Sequence, residues 1–247
     1  MMETFSELAY ASTAFRAVDA RADEAESVQA VGEAPARSSK YAAGADFAQH
    51  AATSIRYGRV RYDGVLYVVI GSSEPIAGLD ELCEAAVDRA GHSRYGTPYR
   101  STWYGSLDPY TAISEAAYHV LADGDATVSA LSLFQVRVRG SFADLHGRER
   151  SQPGIVGDDY AATQTLARRV RALTTLAGVL YPSARSSGTC LAVFARPALR
   201  SAKFVESIPV RRVTRDAIDL RTSWSAKWHR MRLDDLRRAS IGKSACA

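Results

Sequence analysis

The sequence predicts an α+β protein, a compact mixed β core with flanking helices. Stretches rich in β-branched and aromatic residues recur at 60–70, 131–138 and 179–194. Between them lie segments with helical spacing of apolar residues, at 79–87, 110–121 and 161–176. The two kinds alternate irregularly, without the sustained strand–helix–strand rhythm of a doubly wound sheet. A chain of 247 residues, 47% apolar and 23% charged, can bury one substantial core with extensions.

Residues 1–54 read as an N-terminal arm, partly flexible. They are rich in alanine and small polar residues, with Glu24-Ala25-Glu26 and the breaker-containing Gly32-Glu33-Ala34-Pro35. From 55 the texture changes and a single domain is expected to run to 215. Val60-Arg61-Tyr62 and Val65–Ile70 read as two strands, split at the hairpin-turn pair Asp63-Gly64. A loop over 72–78 leads to a helix at 79–87. A short strand over Ser101–Ser106 is followed by Asp108-Pro109, which suits a helix start with the carboxylate as cap and proline at the first position. That helix covers Tyr110–Leu121. Leu131–Val138 alternates like a strand with one solvated face. Ala161–Leu176 reads as a helix with Gly178 placed to cap its C-terminus. Val179–Pro182 and Cys190–Phe194 are strands around the polar loop Ser183–Thr189, and Ile208–Thr214 reads as a last strand. Residues 216–247 are expected to add a basic helix packed on the domain, over Trp224–Arg238, with Trp228, Met231 and Leu236 on its apolar side.

Composition excludes several classes of function. No apolar run approaches the roughly 20 residues a membrane span needs. The start Met1-Met2-Glu3-Thr4-Phe5 lacks the basic and apolar blocks of a secretory signal. Cys83, Cys190 and Cys246 are widely spaced, so no disulfide framework or zinc site is expected and a cytoplasmic location is the default. The five histidines show no paired ligand spacing, and no metal is expected. Net charge is +4 but unevenly placed. Residues 196–243 hold thirteen Lys/Arg against five Asp/Glu, a surplus of +8, which leaves −4 for the remainder. No helix-turn-helix or aromatic-interleaved pattern accompanies this charge, so direct nucleic-acid binding is not expected.

The chemistry-bearing stretch is Arg94–Glu115. A cation and a ring, Arg94-Tyr95, come first; Tyr104 follows ten residues after the arginine. The turn Asp108-Pro109, then Ala112 and Glu115, complete an ordered set. Far downstream, Tyr181-Pro182-Ser183-Ala184 places a serine directly after a strand. Arginine, glutamate and serine in this order and context resemble the RES-domain family, over about residues 60–205. The resemblance implies a fold like bacterial ADP-ribosyltransferase toxins and an NAD-consuming toxin of a bacterial toxin–antitoxin pair. It implies NAD as substrate with no cofactor, and a helix-turn-helix antitoxin as partner; a homodimer is compatible with it. One departure stands out: Val68, in Leu66-Tyr67-Val68-Val69, occupies the place of an early arginine, and Arg56, Arg59 and Arg61 are its nearby substitutes.

Cleaving the nicotinamide–ribose bond turns the anomeric carbon oxocarbenium-like, and a carboxylate beside the sugar stabilises that charge. Glu115 is the candidate. The diphosphate calls for a planar fork of donors, which Arg94 supplies, with Arg100 a weaker choice. Tyr95 and Tyr104 can wall a ring-binding cleft. Ser183 can bond a ribose hydroxyl or the nicotinamide amide; no G-x-S-x-G turn marks it as a nucleophile. Water, phosphate or a protein could each attack the same carbon. NAD glycohydrolase or phosphorylase therefore stands beside an ADP-ribosyltransferase acting on a protein, and beside an inactive binding module.

Overall fold

The computed structural model describes residues 57–71, 76, 78–87, 93–96, 100, 102–149, 152–157, 159–173 and 175–237. The N-terminal arm expected over 1–54, most of the 72–78 loop, Arg56, His92 and Cys246 lie outside them. The elements in chain order are β1 (Gly58–Ile70), α1 (Leu79–Val87), β2 (Trp103–Ser106), α2 (Pro109–Asp123), β3 (Ala130–Asp144), a 3-10 turn (Pro153–Ile155) and α3 (Ala161–Ala172). Then come β4 (Gly178–Pro182), β5 (Thr189–Val193), a second 3-10 turn (Arg196–Ala198), β6 (Leu199–Val213), β7 (Ala217–Leu220) and β8 (His229–Arg232). The α+β expectation holds.

All eight strands join one sheet in the order β1-β2-β5-β4-β3-β6-β7-β8, and β1 also pairs with β3. That extra pairing closes β1, β2, β5, β4 and β3 into a ring. The β1–β3 seam is antiparallel and continuous from Gly58↔Asp144 to Ile70↔Ser132. β3 and β4 are parallel, Phe142↔Gly178 to Asp144↔Leu180, with α3 on the connection between them. Three apolar clusters fill the molecule. One packs α3 on β4 and β5 (Leu166, Val170, Val179, Ala192). A second lies around Leu66, Phe134, Phe142 and Leu191, under Leu82 of α1. The third lies between α2 and the β6–β8 extension (Ile113, Leu121, Ile208, Ile218, Met231).

The α2 start forms as its sequence dictates. Asp108 is extended at φ −135° and its Oδ1 accepts from Thr111 N at 2.8 Å, with Pro109 at the first turn. Gly124, at φ 68°, adopts the left-handed C-cap that a side chain would resist.

Three expectations are corrected. Asp63-Gly64 makes no hairpin; β1 runs straight through it, with Asp63↔Arg139 and Gly64↔Val138 in register. The Asp63 carboxylate accepts from Arg137 across the seam at 2.8 Å, while Gly64 leaves room for the Tyr62 ring, which a Cβ there would strike. The pair thus serves cross-strand packing, which outweighs its turn preference. Gly178 does not cap α3, whose C-cap is Leu173; it opens β4, where a Cβ would collide with the Ala192 carbonyl. Through residue 237 the expected basic C-terminal helix is instead strand β7, turns, strand β8 and a helical stretch from 233, while 238–247 lie outside the described residues. Met231 and Leu236 do face the core, but from a strand and from that helical stretch. Their spacing satisfies either geometry, so periodicity alone could not choose. Strands β3 and β6 also extend well beyond the predicted segments.

The Gly178 contact is with rigid backbone. Gly178→Ala should therefore cost about 1–3 kcal/mol, the scale of overpacking a closed core, and lower the thermal midpoint in circular dichroism. An unchanged midpoint would mean that β4 and β5 can part at no cost.

Candidate active site

Glu115 projects from α2 toward the loop that links β4 to β5. Its Oε1 accepts from Ser183 Oγ at 2.6 Å and from Ala184 N at 3.2 Å, and Cys190 Sγ lies 3.8 Å away. Its Oε2 accepts no hydrogen bond from any described residue, and the side chain is half-buried. One oxygen is therefore anchored and the other is not engaged by any described residue.

The loop that anchors it is fixed along one stripe of α2. Positions 108, 111, 115 and 118 succeed one another at helical spacing. Asp108 and Thr111 abut Gly188, where any Cβ would meet Thr111 Oγ1 and Asp108 Oδ2. Thr111 Oγ1 shares a hydrogen bond with Ser186 Oγ at 2.8 Å. Glu115 takes Ser183, and the Tyr118 ring carries the Arg185 guanidinium 3.3 Å from its centroid. Within the loop, Ser183 Oγ accepts from Arg185 N at 3.0 Å and Ser186 N at 3.1 Å. With one donor and two lone pairs, that hydroxyl is saturated by the protein itself.

Arg94 reaches the same region from a turn, closed by Gly96 N donating to Ser93 O at 3.1 Å. The turn is held by Tyr104 of β2, whose hydroxyl accepts from Tyr95 N at 2.7 Å and donates to Ser93 Oγ at 3.0 Å. From α3, Thr163 Oγ1 donates to Arg94 O at 2.7 Å and Gln164 Nε2 to Ser93 O at 3.1 Å. Arg94 as a whole is 8% exposed. Its Nη1 donates to the carbonyls of Ile155 (2.9 Å) and Gly157, and its carbon stands 4.9 Å from the Tyr160 ring centroid. Nε and Nη2 make no hydrogen bond to a described residue.

Burial acts to neutralise Arg94, but the rings of Tyr95, Tyr181 and Tyr160 and the Glu115 carboxylate outweigh it and raise its pKa. Glu115 is thus within electrostatic reach of Arg94. Around them burial keeps the other ionisable groups neutral. The Cys190 thiol is pushed up by desolvation and then by Glu115, Tyr181 goes well above its usual value for the same first reason, and Tyr104 rises to about 12.

The structure thus brings Arg94, Glu115 and Ser183 to one place, from three distant segments. It gives Tyr95 and Tyr104 other work. Tyr95 is fully buried with its ring 4.7 Å from that of Tyr181, so it stands in the core rather than on a cleft wall. Tyr104 braces the Arg94 turn with its hydroxyl. Ser183 bonds the carboxylate, where the sequence placed it against the sugar. Arg100 is exposed. Val68 packs into the apolar cluster of Leu66 and Phe142, where a cation would be costly. Arg59 donates to Thr175 at 3.2 Å at the end of the α3–β4 connection. Sequence reasoning missed Thr111, Tyr118, Arg185, Ser186 and Cys190. A usable signal was present in the polar stripe 108/111/115/118 beside a loop of sequence Ser-Ala-Arg-Ser-Ser-Gly. Among the described residues no cluster of His, Cys, Asp or Glu could hold a metal ion.

A carboxylate on a helix, a serine following a strand and an arginine in a braced turn make up the candidate site. The RES domain model matches residues 76–216, more than half of the chain, and this protein belongs to the RES-domain family. No curated protein matches the sequence. Among solved structures the chain is similar to one in the M. tuberculosis MbcT–MbcA toxin–antitoxin complex, at 20% identity and a TM-score of 0.46 over 60% of this chain and 86% of that one.

Ser183→Ala should leave Glu115 Oε1 with Ala184 N alone and two buried loop N–H groups unpaired, at about 1–3 kcal/mol. Ser183→Thr keeps the hydroxyl and should recover most of that loss. Denaturant titration of both variants checks it; equal stability of Ser183→Ala and wild type would show that the loop holds without this bond.

Proposed function

We propose that this RES-domain protein is an enzyme that cleaves the nicotinamide–ribose bond of NAD, with water or phosphate as acceptor, and that it acts as a toxin. The observation that carries this reading is the half-anchored carboxylate: Glu115 has Oε1 fixed by Ser183 and Ala184 and Oε2 unengaged, within electrostatic reach of Arg94.

The chemistry divides between these two charges. As the C1′–N bond breaks, its electron pair goes to the nicotinamide nitrogen and quenches the pyridinium charge, leaving C1′ electron-deficient. Glu115 Oε2 would face that centre, and a carboxylate with one oxygen already immobilised needs little rearrangement to stabilise it. The incoming oxygen forms the C1′–O bond and gives up its proton, to Oε2 or to solvent. Nε and Nη2 of Arg94 supply a two-donor edge for the diphosphate, aimed by the carbonyls that hold Nη1. Tyr104 and Ser183 are positioning residues, one for each charge. The NAD is substrate, and no cofactor enters this scheme. An enzyme that drains NAD needs a restraint in its own cell, and the family resemblance supplies one in an antitoxin chain that covers the cleft.

Purified protein incubated with NAD should release nicotinamide, together with ADP-ribose or, in phosphate buffer, its 1″-phosphate. Label appearing on a protein instead would indicate ADP-ribosyl transfer. Glu115→Gln removes the charge and keeps the shape, so kcat should drop by roughly 10²–10³, the scale for one electrostatic stabiliser, with KM little changed. Wild-type turnover by this variant would make Glu115 a bystander.

Arg94→Lys keeps the charge and loses the fork, and should raise KM at least several-fold. Arg100→Ala, at an exposed position, should not. Equal KM values for the two would contradict Arg94 as the phosphate ligand. In cells, the wild-type chain should lower NAD before growth stops, and Glu115→Gln should relieve the arrest.

A further inference from the structure

Strands β7 and β8 lie beyond residue 216, where the RES match ends, and they build a surface of their own. Their register sorts side chains cleanly between two faces. Ile218 pairs with Met231 and Val213, and all three turn inward onto the cluster under α2. On the opposite face Asp219 pairs with Arg212 of β6 and Arg230 of β8, while Ala217 pairs with Arg232. A register shift between Val210 and Arg212 brings Arg211 to the same side, where its Nη2 lies 3.4 Å from Asp219 Oδ2. Residues spread over more than twenty positions of sequence thus become one arginine face.

That face is rigidly built. Asp219 is buried and takes Arg230 as a fork, Nε at 2.7 Å and Nη2 at 2.9 Å. Hydrogen bonds from Arg230 are the main cause holding its carboxyl below the usual range. Trp228 stacks Arg211, 4.8 Å from its ring centroid, and at the margin of the face one further cation, Arg221, at 5.3 Å. A guanidinium stacked on a ring keeps its in-plane N–H edge available. Arg212 and Arg232 are exposed and make no ion pair with any described residue. Arg212, Thr214, Ala217, Asp219 and Arg230 line a cavity of about 110 Å³ on this face. On the strands themselves four arginines (Arg211, Arg212, Arg230, Arg232) against Asp219 leave a surplus of +3.

We propose that the outer face of β6–β8 binds the phosphodiester backbone of a nucleic acid without reading its sequence. The chemistry of the face selects this partner over an acidic protein. A protein interface centres on buried apolar anchors. Around Asp219 this face presents Thr214 and Ala217 between its charges, and the Trp228 ring there lies against guanidiniums. Arginine forks suit phosphate oxygens bidentately, and such binding is governed by counterion release. No helix-turn-helix pattern accompanies this charge in the sequence, which fits contact with the backbone alone. This inference does not rest on the NAD reading.

The test is fluorescence anisotropy of the full chain with a labelled duplex of mixed sequence, across a salt series. With about three phosphates neutralised, log K should fall with log salt at a slope of roughly −2.7, a loss of about fortyfold between ~50 and ~200 mM. The double variant Arg212→Glu, Arg232→Glu should weaken binding more than tenfold and flatten the slope by about 2. Arg212→Lys with Arg232→Lys should keep most of both, since a phosphate contact needs the charge. These positions are exposed, and unchanged thermal midpoints would confirm that the variants fold. Three results would overturn the proposal: no binding by the wild type at the lowest salt, equal binding by the charge-reversed variant, or binding of polyglutamate but not of the duplex, which would indicate an acidic protein partner.

Discussion

The hydrogen bond from Ser183 to Glu115 is the contact on which the candidate site depends, because it joins the two halves of the molecule that would do chemistry. It is the centre of a longer seam. The loop between β4 and β5 lies along α2 and meets a polar or aromatic side chain at each turn: Asp108, Thr111, Glu115, Tyr118. Burying such a row of polar groups is unfavourable unless they pair, and the pairs formed here fix the arrangement of the loop. A loop held this way can present Ala184 N and Ser183 Oγ to the carboxylate without adjusting.

Arg94 is held by a different device, a turn braced from two sides by Tyr104 of β2 and by Thr163 and Gln164 of α3. The two charges therefore ride on separate scaffolds. Their relative placement depends on the sheet beneath, where β2 and β4 both pair with β5. Cys190 of β5 sits where these supports meet, with Sγ 3.3 Å from Ser106 Oγ of β2 and opposite Tyr181 of β4. The thiol's burial and the neutral tyrosines around it keep the local dielectric low, which lengthens the reach of the two charges that remain.

Much of this was legible before any coordinates. The Asp108-Pro109 cap, the α2 helix and the strand–serine element follow from local chemistry, and local chemistry decided them. The ordered Arg, Glu and Ser set was visible because its spacing is fixed by elements of fixed length. What escaped was decided across the sheet. Asp63-Gly64 reads as a turn until Arg137 and Arg139 are placed opposite it. Gly178 reads as a cap until the Ala192 carbonyl is seen against it. The segment 224–238 satisfies a helical pattern, yet β7 offers Met231 and Arg230 partners that a helix would forgo. Tyr95 and Tyr104, chosen as cleft walls for their flat rings, are used as core and brace because burial and hydroxyl pairing are not written in one dimension.

The closed ring of strands has a bearing on how this domain can be cut. The family match begins at residue 76, but β1, which lies before it, supplies the whole seam opposite β3. A fragment trimmed to the matched span would keep Arg94, Glu115 and Ser183 and still lose a thirteen-residue strand. One long margin of β3 would then have bare amide and carbonyl groups, with Phe142 and Leu66's former neighbours turned to water. Such a margin is a template for pairing with other chains. The autonomous folding unit thus starts upstream of the homology boundary, and its N-terminal strand is the closure that makes the unit self-contained.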